Sequence, residues 1–435
     1  MCLAGLIGAR TGGQGRPALA WVEAPAFDGA AWLRGGERFT SGAAIHISDA
    51  AGARLLLPNF MASADPAVSP DGARLLVAGR RTAGDRWQVF EVAIQGGGEV
   101  RQITAGEGDF VRPFYLAEQR VVYTRILNGN SWIESAPLAG GAAERLTFSG
   151  APVLTDGVLR DGRILFETQF RGNGGAARDI MTVYPDGTGV EAVRCDHGGD
   201  RHSAREIAAR EIVFAESGRL ARFTPALAHE TELAAPAGEF DGPAEALSNG
   251  EWIAAMRPNA ASRYRLVGWR AGARAAAQVV IGDNANALEP VALAAHDAPT
   301  RFPSALVASR TWLNLLCLDA RTSRDRMQAG IAGVRVFTQG DHGEERLLGQ
   351  TAVEEDGSFF VQVPGDRPVR MEVLNAAGRV LRGEKNWWWG RRAEQRVCVG
   401  CHAGPEHAPE NAVPVVLLRK DVPVSMLAPT DGGRR

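Results

Sequence analysis

Near the carboxy terminus of this 435-residue chain, RVCVGCHAGPEHAPEN (396–411) sets Cys398, Cys401 and His402 within five positions. Five cysteines and eight histidines placed at random would give C-x-x-C-H about one time in a thousand, so the spacing carries information. Two thiols three apart with an adjacent imidazole suit covalent attachment of haem c. The thiols add across the vinyl groups of the porphyrin, and the histidine is delivered to the iron as proximal axial ligand. The other chemistry on offer is a structural zinc ion, which needs four ligands and usually two such pairs. No second C-x-x-C exists here; His407 supplies a third donor and no fourth is evident. A haem site is local and needs only the one motif, so the spacing points to a single covalent haem held by Cys398, Cys401 and His402.

The far side of the iron either takes a second ligand or stays open. His407 is only five residues from His402, too close to wrap round the ring. Met426, in VPVSMLAP (422–429), has the reach to be the distal ligand, although a methionine there also suits an apolar filler of the tail. His197, His202 or His296 could bridge from upstream. The stretch RCDHGGDRH (194–202) gathers Cys195, Asp196, His197, Asp200 and His202, a composition that fits a solvated turn as well as a metal site. His46, His229, His296 and His342 are scattered and form no pattern. A nucleophile elbow, a phosphate loop and HExxH are all missing from the sequence.

The rest of the chain must position this motif. With 45% hydrophobic and 23% charged residues it has the make-up of a globular protein with a large core, and its length suggests several units. Fifty-two glycines and 23 prolines call for many turns and few long helices. Forty-eight basic against 50 acidic groups give no bulk electrostatic case for nucleic acid or an anionic membrane. No stretch approaches the roughly 20 apolar residues of a spanning helix. The opening MCLAGLIGAR has neither a basic leader nor a small-residue cleavage site, so it does not read as a signal peptide. Cys2 reads either as the lipidated first residue of a mature lipoprotein or as a cysteine in a frayed terminus, which makes 1–17 a disordered end or a tether.

A repeat runs through two thirds of the sequence. DPAVSPDGARLLVAGRR (65–81) and WQVFEVAIQGGGEVRQIT (87–104) are echoed by VRPFYLAEQRVVYTR (111–125) and WIESAPLAGGAAERLT (132–147), then by 156–193 and more loosely by 205–223 and 250–270. Each unit pairs tight Asp-Gly or Gly-Gly turns with short β-rich runs, four strands to a period of about 40–45 residues, as in a propeller blade. Five units fill about 60–290. Strands at 18–25 and 43–58, paired with PSALVASRTWLNLLCLDA (303–320), are expected to complete a sixth blade and seal the sheet edges. The expectation is an all-β protein whose residues 18–320 form a six-bladed β-propeller, with seven blades as the alternative.

After 329 the period changes. Short alternating strands such as Val361/Val363 and Met371/Val373, with turns at DGSF (356–359) and NAAG (375–378), predict a small β-sandwich over 329–383. EKNWWWGRR (384–392) then opens a loop-rich tail, 384–435, that holds the cysteine motif. Trp387, Trp388 and Trp389 could shield a haem edge or simply pack on the sandwich.

The blade grammar, DPAVSPDGARLLVAGRR above all, resembles TolB-like propellers, and the small module resembles carboxypeptidase-regulatory-like sandwiches. The order of propeller, sandwich and RVCVGCHAGPEHAPEN resembles the hydrazine synthase alpha-subunit-like family of secreted bacterial proteins over about 18–415. That resemblance implies Cys398 and Cys401 as thioether anchors and His402 as proximal ligand of a haem c. Thioether attachment takes place outside the cytoplasmic membrane in bacteria, so a periplasmic home is expected, membrane-anchored if Cys2 carries a lipid. The synthase subunit carries a second C-x-x-C-H and this chain has one, so an electron-transfer or redox-accessory role with a partner protein is expected rather than hydrazine synthesis. A haem-dependent oxidoreductase with substrate in the propeller funnel, or a binding scaffold with a structural haem, are the alternatives.

Overall fold

The computed structural model describes residues 18–49, 52–95, 99–172, 175–194, 199–207, 210–225, 228–270, 277–280, 285–304, 306–307, 309–322, 330–340, 343–400 and 412–427. Cys2, Cys195, Asp196, His197, His342, Cys401, His402 and His407 fall outside them. Among the described residues the fold is all-β, with only two short 3₁₀ turns, Ala31–Arg34 and Val415–Leu418. No helix there is long and apolar enough to cross a membrane.

Six antiparallel sheets form the blades of a β-propeller. Blade I joins Leu19–Ala24, Ala44–Asp49 and Gly52–Leu55 to Asn286–Ala292 from the far end of the repeat. Blade II starts at Ala62–Val68, blade III at Asp109–Leu116, blade IV at Val153–Val158, blade V at Arg201–Glu206 and blade VI at the split strand Glu239–Phe240 and Glu245–Ala246. The ring closes through Asn286–Ala292 against Leu19–Ala24, from Leu19↔Ala292 to Ala24↔Asn286. This corrects the sequence expectation that 303–320 would close it. Trp312–Cys317 alternates buried and half-buried residues, which suits one face of a two-layer core, and it pairs with Phe359–Pro364 instead. The inner-strand pattern of the other blades belongs to 286–292.

That pattern is a bulge. The inner strands of blades I to V each shift register at the same place, at Glu289-Pro290, Asp65-Pro66, Arg112-Pro113, Asp156-Gly157 and Ser203-Ala204. Asp65, Arg112, Ser203 and Glu289 take positive φ there, between 51° and 57°, which non-glycine residues adopt only when surroundings compensate. The compensation comes from the neighbouring blade. Glu289 accepts from the Asp65 amide (3.1 Å), Asp65 from the Arg112 amide (2.9 Å), and Asp156 from the Ala204 amide (3.0 Å). Arg112 also donates to Asp156 (2.7 Å) and Glu289 (3.2 Å), and Arg38 reaches in from the 25–43 insertion to Asp65 (2.7 Å) and Glu289. A belt of buried charges thus stitches the blades round the axis, where their partners repay the cost of desolvation.

The chain then crosses the propeller. Leu293 donates to Ala18, His296 to Pro70 and Thr300 to Arg160, Phe302 stacks on Tyr184 at 4.0 Å, and Ser304 bonds Asp186. It arrives beside blade IV as a two-layer sandwich. One sheet is Gln395–Cys398, Trp312–Cys317, Phe359–Pro364 and Val424–Ser425; the other is Glu345–Ala352, Ile331–Gln339, Val369–Asn375 and Val380–Gly383. The sandwich therefore draws strands from both sides of the predicted 329–383. Of the two turns read from sequence, 375–378 closes a hairpin, while 356–359 carries the chain from one sheet to the other.

Candidate haem attachment site

Cys398 ends the strand Gln395–Cys398, which is added in parallel to the edge of the first sandwich sheet. Two things hold that strand. On the sandwich side, Leu318 donates to the Cys398 carbonyl (2.8 Å). Gly400 then takes φ +126° against the Asp319 carbonyl, where a side chain would clash at 2.4 Å, so the motif's glycine permits the close turn after the first cysteine.

On the other side is the propeller. Asn386 clasps the Arg171 backbone through both its amide atoms, at 2.8 and 3.2 Å. Trp389 is 3% exposed among Leu146, Phe166, Val183 and Val190 of blades III and IV. Arg391 bonds the Asp186 carbonyl, Glu144 (3.0 Å) and Asp366 (2.8 Å); Glu394 accepts from the Gly189 amide (3.0 Å); Arg396 donates to the Val190 carbonyl (2.8 Å). The strap 386–396 is thus fastened to the propeller immediately before the cysteines. The three tryptophans divide their labour: Trp389 docks the propeller, Trp388 packs on the sandwich core and donates to Glu384 (3.1 Å), and Trp387 lies against Arg370.

Cys398 is half-buried, and its Sγ donates to the Gly400 carbonyl at 3.4 Å. A hydrogen bond from Cys317 is the main cause that pulls its thiol down to about 6, with the charge of Arg396 assisting against burial. Cys317 faces it as register partner on the adjacent strand and is 2% exposed. The sequence reading set Cys317 aside as remote; only the parallel addition of 395–398 to 312–317 brings the two together. Nearby, Glu384 accepts from the Met371 amide (2.7 Å) and Trp388, and burial pushes its carboxyl up to about 8, with Cys398 contributing.

These surroundings fit a large apolar group at Cys398. Among the described residues ten large hydrophobic side chains are exposed, and five of them, Val397, Val399, Val413, Leu417 and Leu418, flank the motif. The flanks are held to the same end of the sheet: the Val415 and Val416 amides bond Asp356 (2.7 Å) and Ser358 (3.1 Å), next to Phe359, the partner of Cys317. Clustered exposed apolar side chains mark a surface meant to be covered.

The other candidate residues are placed differently. Met426 is 2% exposed in the sandwich core and its Cγ lies against Gly349, a packing role. Asp200 is engaged by Arg178 (2.6 Å), and His202 is buried against Ser203 (3.1 Å) with Asp241 at 3.8 Å; burial lowers its pKa. His296 is exposed and turned to the Asp297 and Val68 carbonyls. Among the described residues no group of three or more His, Cys, Asp or Glu could hold a metal ion.

Residues 313–403, the unit that carries Cys317, the strap and the motif, match the family described as hydrazine synthase alpha subunit middle domain. The fold superposes on Kuenenia stuttgartiensis hydrazine synthase with a TM-score of 0.81 at 16% identity, over 93% of this chain and 71% of that one. TolB from Acinetobacter baumannii aligns over 63% of this chain and 66% of its own at 17% identity, with a TM-score of 0.46. No curated protein matches the chain. The chain has the fold of Kuenenia stuttgartiensis hydrazine synthase, and its residues 313–403 match the hydrazine synthase alpha subunit middle domain.

Proposed function

We propose that this chain is a periplasmic monohaem c-type protein with an electron-transfer or redox-accessory role. Cys398 and Cys401 would anchor the haem, His402 would serve as proximal ligand, and the propeller would be the docking platform for a redox partner. When bound, the haem supplies a one-electron couple. The residues of the chain hold and shield it. Cys398 offers a thiol already shifted toward thiolate, the flanking Val397, Val399, Val413, Leu417 and Leu418 offer an apolar surface, and Gly400 permits the close turn after Cys398. The observation that supports this most is the fastening of the strap 386–396 to blades III and IV, which fixes the motif against a large rigid surface. A group so mounted is suited to exchange electrons with whatever docks there.

The funnel-oxidoreductase alternative has less room. The inner strands of the propeller are joined by the buried Arg38, Asp65, Arg112, Asp156 and Glu289 belt. Beside Trp32, Arg38, Asp65, Trp87 and Asp109 lies a cavity of about 40 Å³, space for roughly three waters. The likeness to a hydrazine synthase supports a redox setting; the single C-x-x-C-H argues against that reaction here. Thioether attachment places the mature protein outside the cytoplasmic membrane, and Cys2 is the residue that would carry a lipid anchor.

The test is the absorption spectrum of the reduced protein with and without carbon monoxide. A haem band unmoved by the gas is expected for electron transfer. A rapid shift would favour the oxidoreductase, and stoichiometric zinc without any haem band would overturn both.

A further inference from the structure

We propose that Cys317 and Cys398 form a disulfide in the haem-free protein, a redox lock that withholds the first anchor thiol until it is reduced. The geometry carries the inference. The two residues are register partners on adjacent parallel strands, Trp312–Cys317 and Gln395–Cys398, so their side chains project from the same face of the sheet. Strand neighbours lie about 4.8 Å apart at Cα, inside the window for a disulfide. Both side chains face the sandwich core, where Cys398 packs against the cluster that holds Cys317. The strands themselves are pinned, by the Phe359–Pro364 pairing on one side and by the strap on the other, so the two sulfurs meet at high effective concentration.

The chemistry is ordinary thiol–disulfide exchange with a small-molecule or protein disulfide as oxidant. Cys398, the more exposed of the two, attacks as thiolate and forms a mixed disulfide, expelling one thiolate of the oxidant. The Cys317 thiolate then attacks Cys398 Sγ and expels the second. One S–S bond forms in the protein and one is lost from the oxidant. The two electrons of the protein thiols pass to the oxidant, and the two S–H protons balance the thiolates released. Cys398 then lacks the nucleophile that adds to a vinyl group. The same neighbour that lowers the Cys398 pKa thereby competes with the porphyrin for it. The cross-link itself does not depend on the haem reading; only its consequence for loading rests on that reading.

The test uses the full chain, produced without the cytochrome maturation machinery, incubated with oxidised glutathione, alkylated and digested for mass spectrometry. The expected product is a peptide pair joined through Cys317 and Cys398, two hydrogens lighter than its parts, with Cys401 alkylated. A dominant Cys398–Cys401 bridge, or alkylation of both Cys317 and Cys398, would overturn the proposal. The Cys401→Ser protein, which cannot make the competing bridge, should give the same linked pair. A second arm measures covalent haem in cells that have the machinery, for wild type and Cys317→Ala at low and high external reductant. Loading of wild type should rise several-fold with reductant and that of Cys317→Ala should not. Equal dependence in both would overturn the lock. Absence of haem from both proteins, alongside the mapped cross-link, would instead refute the haem reading alone.

Discussion

Trp389 of the strap packs its ring 6.3 Å from that of Phe166, on the second strand of blade IV. This contact is the apolar centre of the joint between sandwich and propeller, with Arg391 and Asn386 bonded at its margins. Trp389→Ala should therefore cost about 3–5 kcal/mol at the joint, as for other buried large-to-small changes. Limited proteolysis checks it: cleavage between the two units should accelerate sharply, while the propeller fragment stays intact.

Arg112 offers a second prediction. Its guanidinium serves Asp156, Glu289 and the Thr155 carbonyl at once, and it is 4% exposed. Arg112→Met would leave the buried Asp156 carboxylate without its ion-pair partner and should destabilise the propeller by about 3–5 kcal/mol in a denaturant titration. Arg112→Lys should rescue little, because an ammonium cannot make the forked contacts.

These two residues also show how far the sequence could be read. Strand grammar, the blade count and the sandwich were legible because Asp-Gly turns and alternating apolar runs are local signals. The axis belt was not, although its signal was present: a charged residue ahead of Pro or Gly recurs at Asp65, Arg112, Asp156 and Glu289. The recurrence of Glu289-Pro290 would have identified 286–292 as the closing strand in place of 303–320. At the site, Cys398 could be read from the motif. Cys317 could not, since 80 residues separate it from Cys398 and only parallel strand addition, which has no turn signature, joins them.

The carboxyl of Glu384 gives a pH dependence with a definite sign. Its folded pKa, about 8, lies above the ordinary glutamate value of 4.5, so the folded state binds the proton more tightly. The stabilisation is fully present below about pH 4.5 and is lost as pH rises through 8. Because the residue is only half-buried, the effect should be about 2 kcal/mol at most. Wild type should lose stability relative to Glu384→Gln between pH 5 and pH 8.5 in parallel thermal melts; curves that stay parallel would contradict this.

Cys398 should react before any other described thiol. With its pKa drawn to about 6 by Cys317, alkylation of the reduced, haem-free protein by iodoacetamide should reach half its maximal rate near that pH. In Cys317→Ala the midpoint should move up toward the ordinary thiol range. Peptide mapping of the alkylated protein over a pH series reads both.

The account rests on a porphyrin joined to the chain through sulfur, and intact-protein mass spectrometry reads that directly. Protein matured in a cell with the cytochrome assembly machinery should weigh one haem more than its polypeptide under denaturing conditions and absorb in the Soret region. Cys398→Ala/Cys401→Ala should lose both the added mass and the absorption. A wild-type mass equal to the polypeptide alone, with no Soret band, would contradict the account.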